Sequence, residues 1–259
     1  MGKRPEKTGN PPMIRIVSAV LLSLCLCAPP AFGAEKRLVA VSDAVWPPME
    51  FLDDTGRVIG FSTDYLKAVA REAGLIVSVK NMAWKDLFEA LEAKKADIVA
   101  SSVTDTPSRR RMLGLSAPYY EARQAVLMPL GAKATRLEDL AGRKVGGQIG
   151  ATGLVETLPD SGVKVDARAY DDTALAVEAL AAGDVDAVIC DEPLARYYAA
   201  KSGEFAGRFT VALVTGKAER YCFAVRKGDI ALLAKLNNGI KAVKAKGLDK
   251  AIAAKWMGN

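Results

Sequence analysis

The sequence predicts an α/β protein built from two similar units, each a largely parallel sheet covered by helices, and three observations carry that prediction. Short apolar strand signals alternate with segments of helical spacing between residues 38 and 100. The alternation starts again after an extended run at 125–130. No low-complexity linker interrupts the chain, and no sequence repeat accompanies the architectural duplication.

Taken in order, residues 38–41 and 76–79 are short apolar runs of strand length, and 64–73 between them carries Tyr65, Leu66, Val69 and Ala70 at helical spacing. Residues 85–94, with Leu87, Phe88 and Leu91, predict a second helix before a strand at 97–100. This order leaves the loops at strand C-termini available for a ligand. In the second unit, 137–140 is a short helix, 144–147 a strand, 150–157 a helix start, 163–167 a strand, 173–182 a helix and 187–190 a strand. Residues 219–225 run extended, and 230–246 and 248–255 are helices.

The first residues stand apart from this pattern. Lys3, Arg4, Lys7 and Arg15 precede an apolar stretch at 16–28, and Ala31-Phe32-Gly33 before Ala34 suits cleavage, so residues 1–33 are expected to be a signal peptide directing export to the periplasm. The stretch is short for a membrane span. Leu24 and Leu26 stand where lipidation at Cys25 or Cys27 would need a small residue. Cys190 and Cys222 remain in an oxidising compartment, where they either form a disulfide or serve as buried apolar side chains.

The formal charge of +6 falls to +3 without residues 1–33, and the basic residues are scattered among acids, which argues against a nucleic-acid partner. There is no histidine, which removes the commonest general base and metal ligand. No zinc site and no cofactor are expected.

Two stretches carry recognition chemistry. The run Ser101-Ser102-Val103-Thr104-Asp105-Thr106-Pro107-Ser108-Arg109 reads as a loop after the strand at 97–100. The Arg109 fork matches a carboxylate, and Ser102 and Thr104 can orient the same group. A solvated Ser/Thr/Pro turn is the plain alternative. The Gly-rich turn at 146–153 opens a helix, and its backbone N–H groups, with Gln148 and Thr152, suit an anionic or polar group. It lacks the Walker spacing and its lysine.

The ordered segments Trp46-Pro47-Pro48-Met49-Glu50-Phe51, Gly60-Phe61-Ser62-Thr63-Asp64-Tyr65, Thr106-Pro107-Ser108-Arg109, Ala187-Val188-Ile189-Cys190-Asp191-Glu192-Pro193 and Lys255-Trp256-Met257-Gly258 resemble the signatures of the periplasmic polar amino-acid binding proteins, the bacterial extracellular solute-binding protein family 3. The resemblance implies a two-lobed periplasmic-binding-protein-like fold of type II, two α/β units joined by two crossing strands. Lobe I would hold 34–124 and 220–259, and lobe II 125–219.

It implies a monomeric, non-enzymatic receptor that closes on an amino acid or close analogue and delivers it to a membrane-embedded ABC permease. Arg109, Ser102 and Thr104 match the family's clamp for the α-carboxylate, and Asp191 matches the acid that pairs with the α-ammonium. Trp46 and Trp84 match its aromatic walls, and Asp43 matches a position facing the distal end of the ligand. Ala151, Gly153, Met49 and Ser62 depart from the usual residues.

Two alternatives stay open. One is an enzyme like the cyclohexadienyl dehydratases, with Glu121, Glu156, Asp171 or Glu192 moving a proton; the other is an accessory or sensor protein of a periplasmic oxidation system.

Overall fold

A computed structural model of the chain describes residues 1–3, 9, 37–200 and 205–258. The expected signal segment falls, apart from four residues, outside the described part. Glu35–Asn259 forms a unit of its own.

The chain opens with β1 (Leu38–Ser42), a small antiparallel sheet of β2 (Val45–Trp46), β3 (Glu50–Leu52) and β4 (Val58–Ile59), then α1 (Phe61–Glu72), β5 (Val77–Asn81), α2 (Trp84–Glu92) and β6 (Ile98–Thr104). β1 lies between β5 and β6 and runs parallel to both. α3 (Pro107–Met112), β7 (Leu113–Leu115) and the long β8 (Tyr120–Pro129) follow. A second parallel wing then places β9 (Lys144–Gln148) between β10 (Asp166–Tyr170) and β11 (Ala187–Asp191). Its helices are α4 (Leu158–Ser161), α5 (Thr173–Ala182) and α6 (Glu192–Ala199). The chain returns along β12 (Phe209–Arg226) and ends in α7 (Ile230–Ala245) and α8 (Leu248–Met257).

The strand order β10-β9-β11-β8-β12-β6-β1-β5 makes the architecture plain. Two parallel wings are joined by β8 and β12, which pair antiparallel with each other, with β11 on one side and with β6 on the other. These are the two crossing strands of a two-lobed α/β fold. α7 returns to the front wing, where Gly239 lets its backbone meet α1: a Cβ there would lie 2.6 Å from the Val69 carbonyl oxygen. Trp256 of α8 packs its edge on Phe51 and donates from Nε1 to Asp64 at 2.9 Å, a structural role.

Four expectations are corrected. Ser101–Thr104 are not loop: β12 pairs with this stretch, Tyr221 opposite Thr104 and Cys222 opposite Val103, so β6 continues to the site. β12 begins ten residues before the expected 219, because its first part pairs with β8. The strand expected at 163–167 forms at Asp166–Tyr170, where it aligns with β9. The helix expected at 150–157 is a π-turn at Gly153–Thr157 leading into α4.

Cys190 and Cys222 are both free and buried, and they belong to separate apolar clusters. The apolar alternative is therefore the one realised. Burial pushes both thiols upward, which keeps them protonated.

Gly60 begins α1 at φ +124°, and a Cβ there would lie 2.3 Å from the carbonyl oxygen of Met49. Gly60→Ala combines that collision with an unfavourable backbone region, so a loss of roughly 3 kcal/mol is expected. Urea unfolding of the two proteins measures it, and an unchanged midpoint contradicts the assignment.

Candidate functional site

The strand ends converge on one cavity between the two wings. It is lined by Asp43, Trp46, Trp84, Ser102, Thr104, Arg109, Gln148, Thr152 and Asp191, together with Glu50, Ser101 and Ala151. All nine side chains nominated from the sequence meet there. Except for Trp84, each of the nine is at most 8% exposed, so a ligand can enter only when the wings part.

Arg109 is placed by α3. Thr106 caps that short helix by accepting from the Arg109 backbone N–H at 3.3 Å, and Pro107 occupies the first turn, where its missing N–H costs nothing. The guanidinium donates to the Thr104 carbonyl at 3.1 Å and, across the cleft, to the Gly150 carbonyl at 3.2 Å. Its carbon lies 5.2 Å from the ring centroid of Trp84, within cation–π range. Burial draws its pKa down while the charges of Asp191, Glu156 and Glu219 hold it up. An arginine side chain stays charged in either case.

Asp191 ends β11 and precedes α6, yet its side chain makes no capping bond. It accepts instead from Gln124 Nε2 and from the Tyr221 hydroxyl, residues of the two crossing strands. Burial, then the nearby Glu219, raise it to about 7, against the lowering effects of Tyr221, Gln124 and Arg109.

Asp43 follows β1. Its backbone N–H donates to Ser101 Oγ at 2.9 Å, and its carboxylate accepts from Gln148 Nε2 across the cleft at 2.9 Å. Burial raises it to about 6 despite that bond. Gln148 also donates to the Asp171 carbonyl at 3.3 Å.

Sequence reasoning passed over several participants. Glu50 on β3 is buried, accepts from Ser102 Oγ at 3.1 Å and is held well above the usual carboxylate range by burial. A lone acid inside the apolar run Pro48-Met49-Glu50-Phe51 was its signal. The adjoining Ser62 accepts from the Tyr119 hydroxyl at 3.0 Å, so an acid at 62 would have faced a second buried carboxylate. Ser102 sits at φ +45°, a left-handed backbone rarely adopted by serine, which marks this strand end as over-determined by its surroundings.

Behind the cavity, Glu219 accepts from Thr152 Oγ1 at 2.7 Å, Thr104 Oγ1 at 3.2 Å and Gln124 Nε2 at 3.3 Å. Gln124 and Glu219 carried no local signal, because strand pairing brings them together across 95 residues.

Among the described residues, Arg109 is the one cationic side chain lining the cavity, against the carboxyl groups of Asp43, Glu50 and Asp191. None of Glu121, Glu156, Asp171 and Glu192, the acids considered for a dehydratase, lines it. No cluster of metal-ligating side chains and no helix long and apolar enough to cross a membrane occurs among the described residues.

A family model for bacterial extracellular solute-binding proteins, family 3, matches residues 38–259. A relative from Neisseria gonorrhoeae, named a probable histidine-binding protein, is 35% identical over 248 residues, covering 92% of this chain and 91% of its own. The solved arginine-, lysine-, histidine-binding protein of Geobacillus stearothermophilus superposes with a TM-score of 0.80 at 31% identity, over 86% of this chain and 96% of that one. An ancestral amino acid-binding protein, described as a precursor of cyclohexadienyl dehydratase, superposes with a TM-score of 0.75 at 33% identity, over 85% and 94%.

Proposed function

Because the chain belongs to the bacterial extracellular solute-binding proteins, family 3, we propose that it captures a basic amino acid between its two lobes and hands it to an ABC permease. The carrying observation is one cavity lined by a single guanidinium, that of Arg109, together with the buried carboxyl groups of Asp191 and Asp43, which are held by different partners. Arg109 takes the α-carboxylate in place of the neutral carbonyls it now holds, Asp191 takes the α-ammonium, and Trp46 and Trp84 flank the stem. A side-chain cation then meets Asp43, with Glu50 nearby. A neutral side chain leaves that buried acid with Gln148 alone, and a side chain ending in a carboxylate meets repulsion. The histidine-binding and arginine-, lysine-, histidine-binding relatives support the same ligand class.

On this reading residues 1–33 are a cleaved export signal, 34–124 with 220–259 form lobe I, and 125–219 form lobe II. The mature protein acts as a periplasmic monomer without enzymatic turnover. The bond across the cleft from Gln148 to Asp43 belongs to the closed state that the ligand selects, whereas the bond from Arg109 to Gly150 gives way to the ligand carboxylate.

A thermal-shift and calorimetric panel of the twenty amino acids, cystine and prephenate tests the reading. L-arginine, L-lysine or L-histidine should stabilise most, by RT ln(1 + [L]/Kd). Asp43→Asn should weaken the best basic ligand by about thirtyfold while changing L-glutamine by less than about threefold. A preference for a neutral or acidic amino acid removes the basic-ligand reading, and turnover of prephenate replaces the receptor with an enzyme.

A further inference from the structure

Glu219 is buried on β12 at the point where both wings meet the crossing strands, and it does not line the cavity itself. One of its oxygens accepts from Thr104, at the end of β6 in the front wing, and from Thr152, just after β9 in the back wing. Both threonines line the cavity. A threonine hydroxyl has a single proton, and once that proton is committed to a carboxylate only lone pairs remain to face a ligand. Gln124 completes the arrangement: its amide nitrogen reaches Glu219, Thr152 and Asp191 together.

We propose that Glu219 is a positioning residue that fixes the hydrogen-bond polarity of the ammonium end of the site, turning Thr104 and Thr152 into acceptors. This moves Thr104 away from the role expected from the sequence. As a committed donor to Glu219 it cannot donate to the ligand carboxylate; it accepts from the ligand's N–H groups beside Asp191. Glu219 thereby selects for a protonated amine and against ligands that lack one. Because its two threonines come from different wings, that selection is complete only in the closed state. The inference rests on binding of an amino acid and not on which side chain is bound.

The test compares the wild-type chain with Glu219→Ala and Glu219→Gln by calorimetric competition. The probes are whichever of the twenty amino acids binds the wild type most tightly and its desamino counterpart, L-arginine and 5-guanidinopentanoic acid on the reading proposed. Glu219→Ala should weaken the amino acid by about tenfold to thirtyfold and the desamino acid by less than about threefold, so discrimination between the two collapses by about an order of magnitude. Glu219→Gln retains a neutral acceptor for the hydroxyls and should fall between. Equal losses for both probes would assign Glu219 to hinge structure alone and overturn the proposal, as would an unchanged ratio. If Glu219→Ala does not fold, the ratio in Glu219→Gln decides: a shift of about threefold supports the role, and none overturns it. A wild type that binds none of the twenty overturns amino-acid binding together with this inference, whereas binding of a non-basic amino acid overturns only the ligand class.

Discussion

Arg109→Ala is expected to weaken binding of the preferred amino acid by about a thousandfold. The guanidinium is buried, oriented by its own helix cap and flanked by Trp84, so its N–H fork is pre-aimed and largely desolvated before a ligand arrives. A carboxylate that binds there gives up its water for two charge-assisted bonds. Without the fork it is left buried and unpaired, a loss of about 4 kcal/mol, with each 1.4 kcal/mol equal to a factor of ten. The fold should tolerate the change, since the protein acceptors released are the carbonyls of Thr104 and Gly150, one on a strand end and one in a turn. Arg109→Lys restores the charge but not the fork and should recover about a tenth of the loss in affinity. Calorimetry with the amino acid and its carboxamide isolates the cause. The carboxamide should lose less than about tenfold in Arg109→Ala, and a loss as large as the acid's would show that Arg109 does not hold the carboxylate.

The parts of this molecule visible in the sequence are those written locally. Helical spacing marked α1, α2, α5, α7 and α8, and the apolar runs of β1, β6 and β11 stood out because strands covered on both faces read as continuous hydrophobic stretches. Of the nine cavity residues, Trp46, Arg109 and Asp191 lie in ordered motifs, Ser102, Thr104, Gln148 and Thr152 in the two polar stretches, and Asp43 and Trp84 at positions matched by the resemblance. What stayed hidden depends on pairing between distant strands. Ser101–Thr104 looked like a loop from its hydroxyls, and only β12, more than a hundred residues later, makes it a strand. Asp191 stands at the start of α6 without capping it, and its side chain is claimed instead by Gln124, directly opposite it on β8, and by Tyr221. Glu219 could not be found at all, because its partners come from β6, β8 and the turn after β9. The lining of the cavity was therefore legible, and the polar layer behind it was not.

On the proposed reading, the two buried aspartates of the cavity should make binding depend steeply on pH. With the wings closed and no ligand between them, burial pushes Asp191 up to about 7 and Asp43 up to about 6. A ligand ammonium beside Asp191 and a side-chain cation beside Asp43 favour the ionised forms, so binding expels whatever proton each carboxyl carries. Above pH 7 both acids are already ionised and affinity should be level. Below pH 7 Asp191 must lose a proton on binding, costing about tenfold per pH unit, and below pH 6 Asp43 adds a second factor of ten per unit. A basic amino acid should thus bind about a thousandfold more weakly at pH 5 than at pH 8, while a neutral amino acid, which engages only Asp191, should lose about a hundredfold. The stability of the ligand-free protein runs the opposite way. Aspartate in the unfolded chain titrates near 3.9, so between about pH 4 and 7 the native state holds more protons than the unfolded state, and stability declines as pH rises through that window. The ligand-free melting temperature should therefore fall from pH 5 to pH 8 over the same range in which the ligand-induced increase grows. Asp43→Asn should remove the second factor of ten and leave the first. A dissociation constant that stays flat from pH 8 to pH 5 would mean that Asp191 does not face the ligand's positive pole.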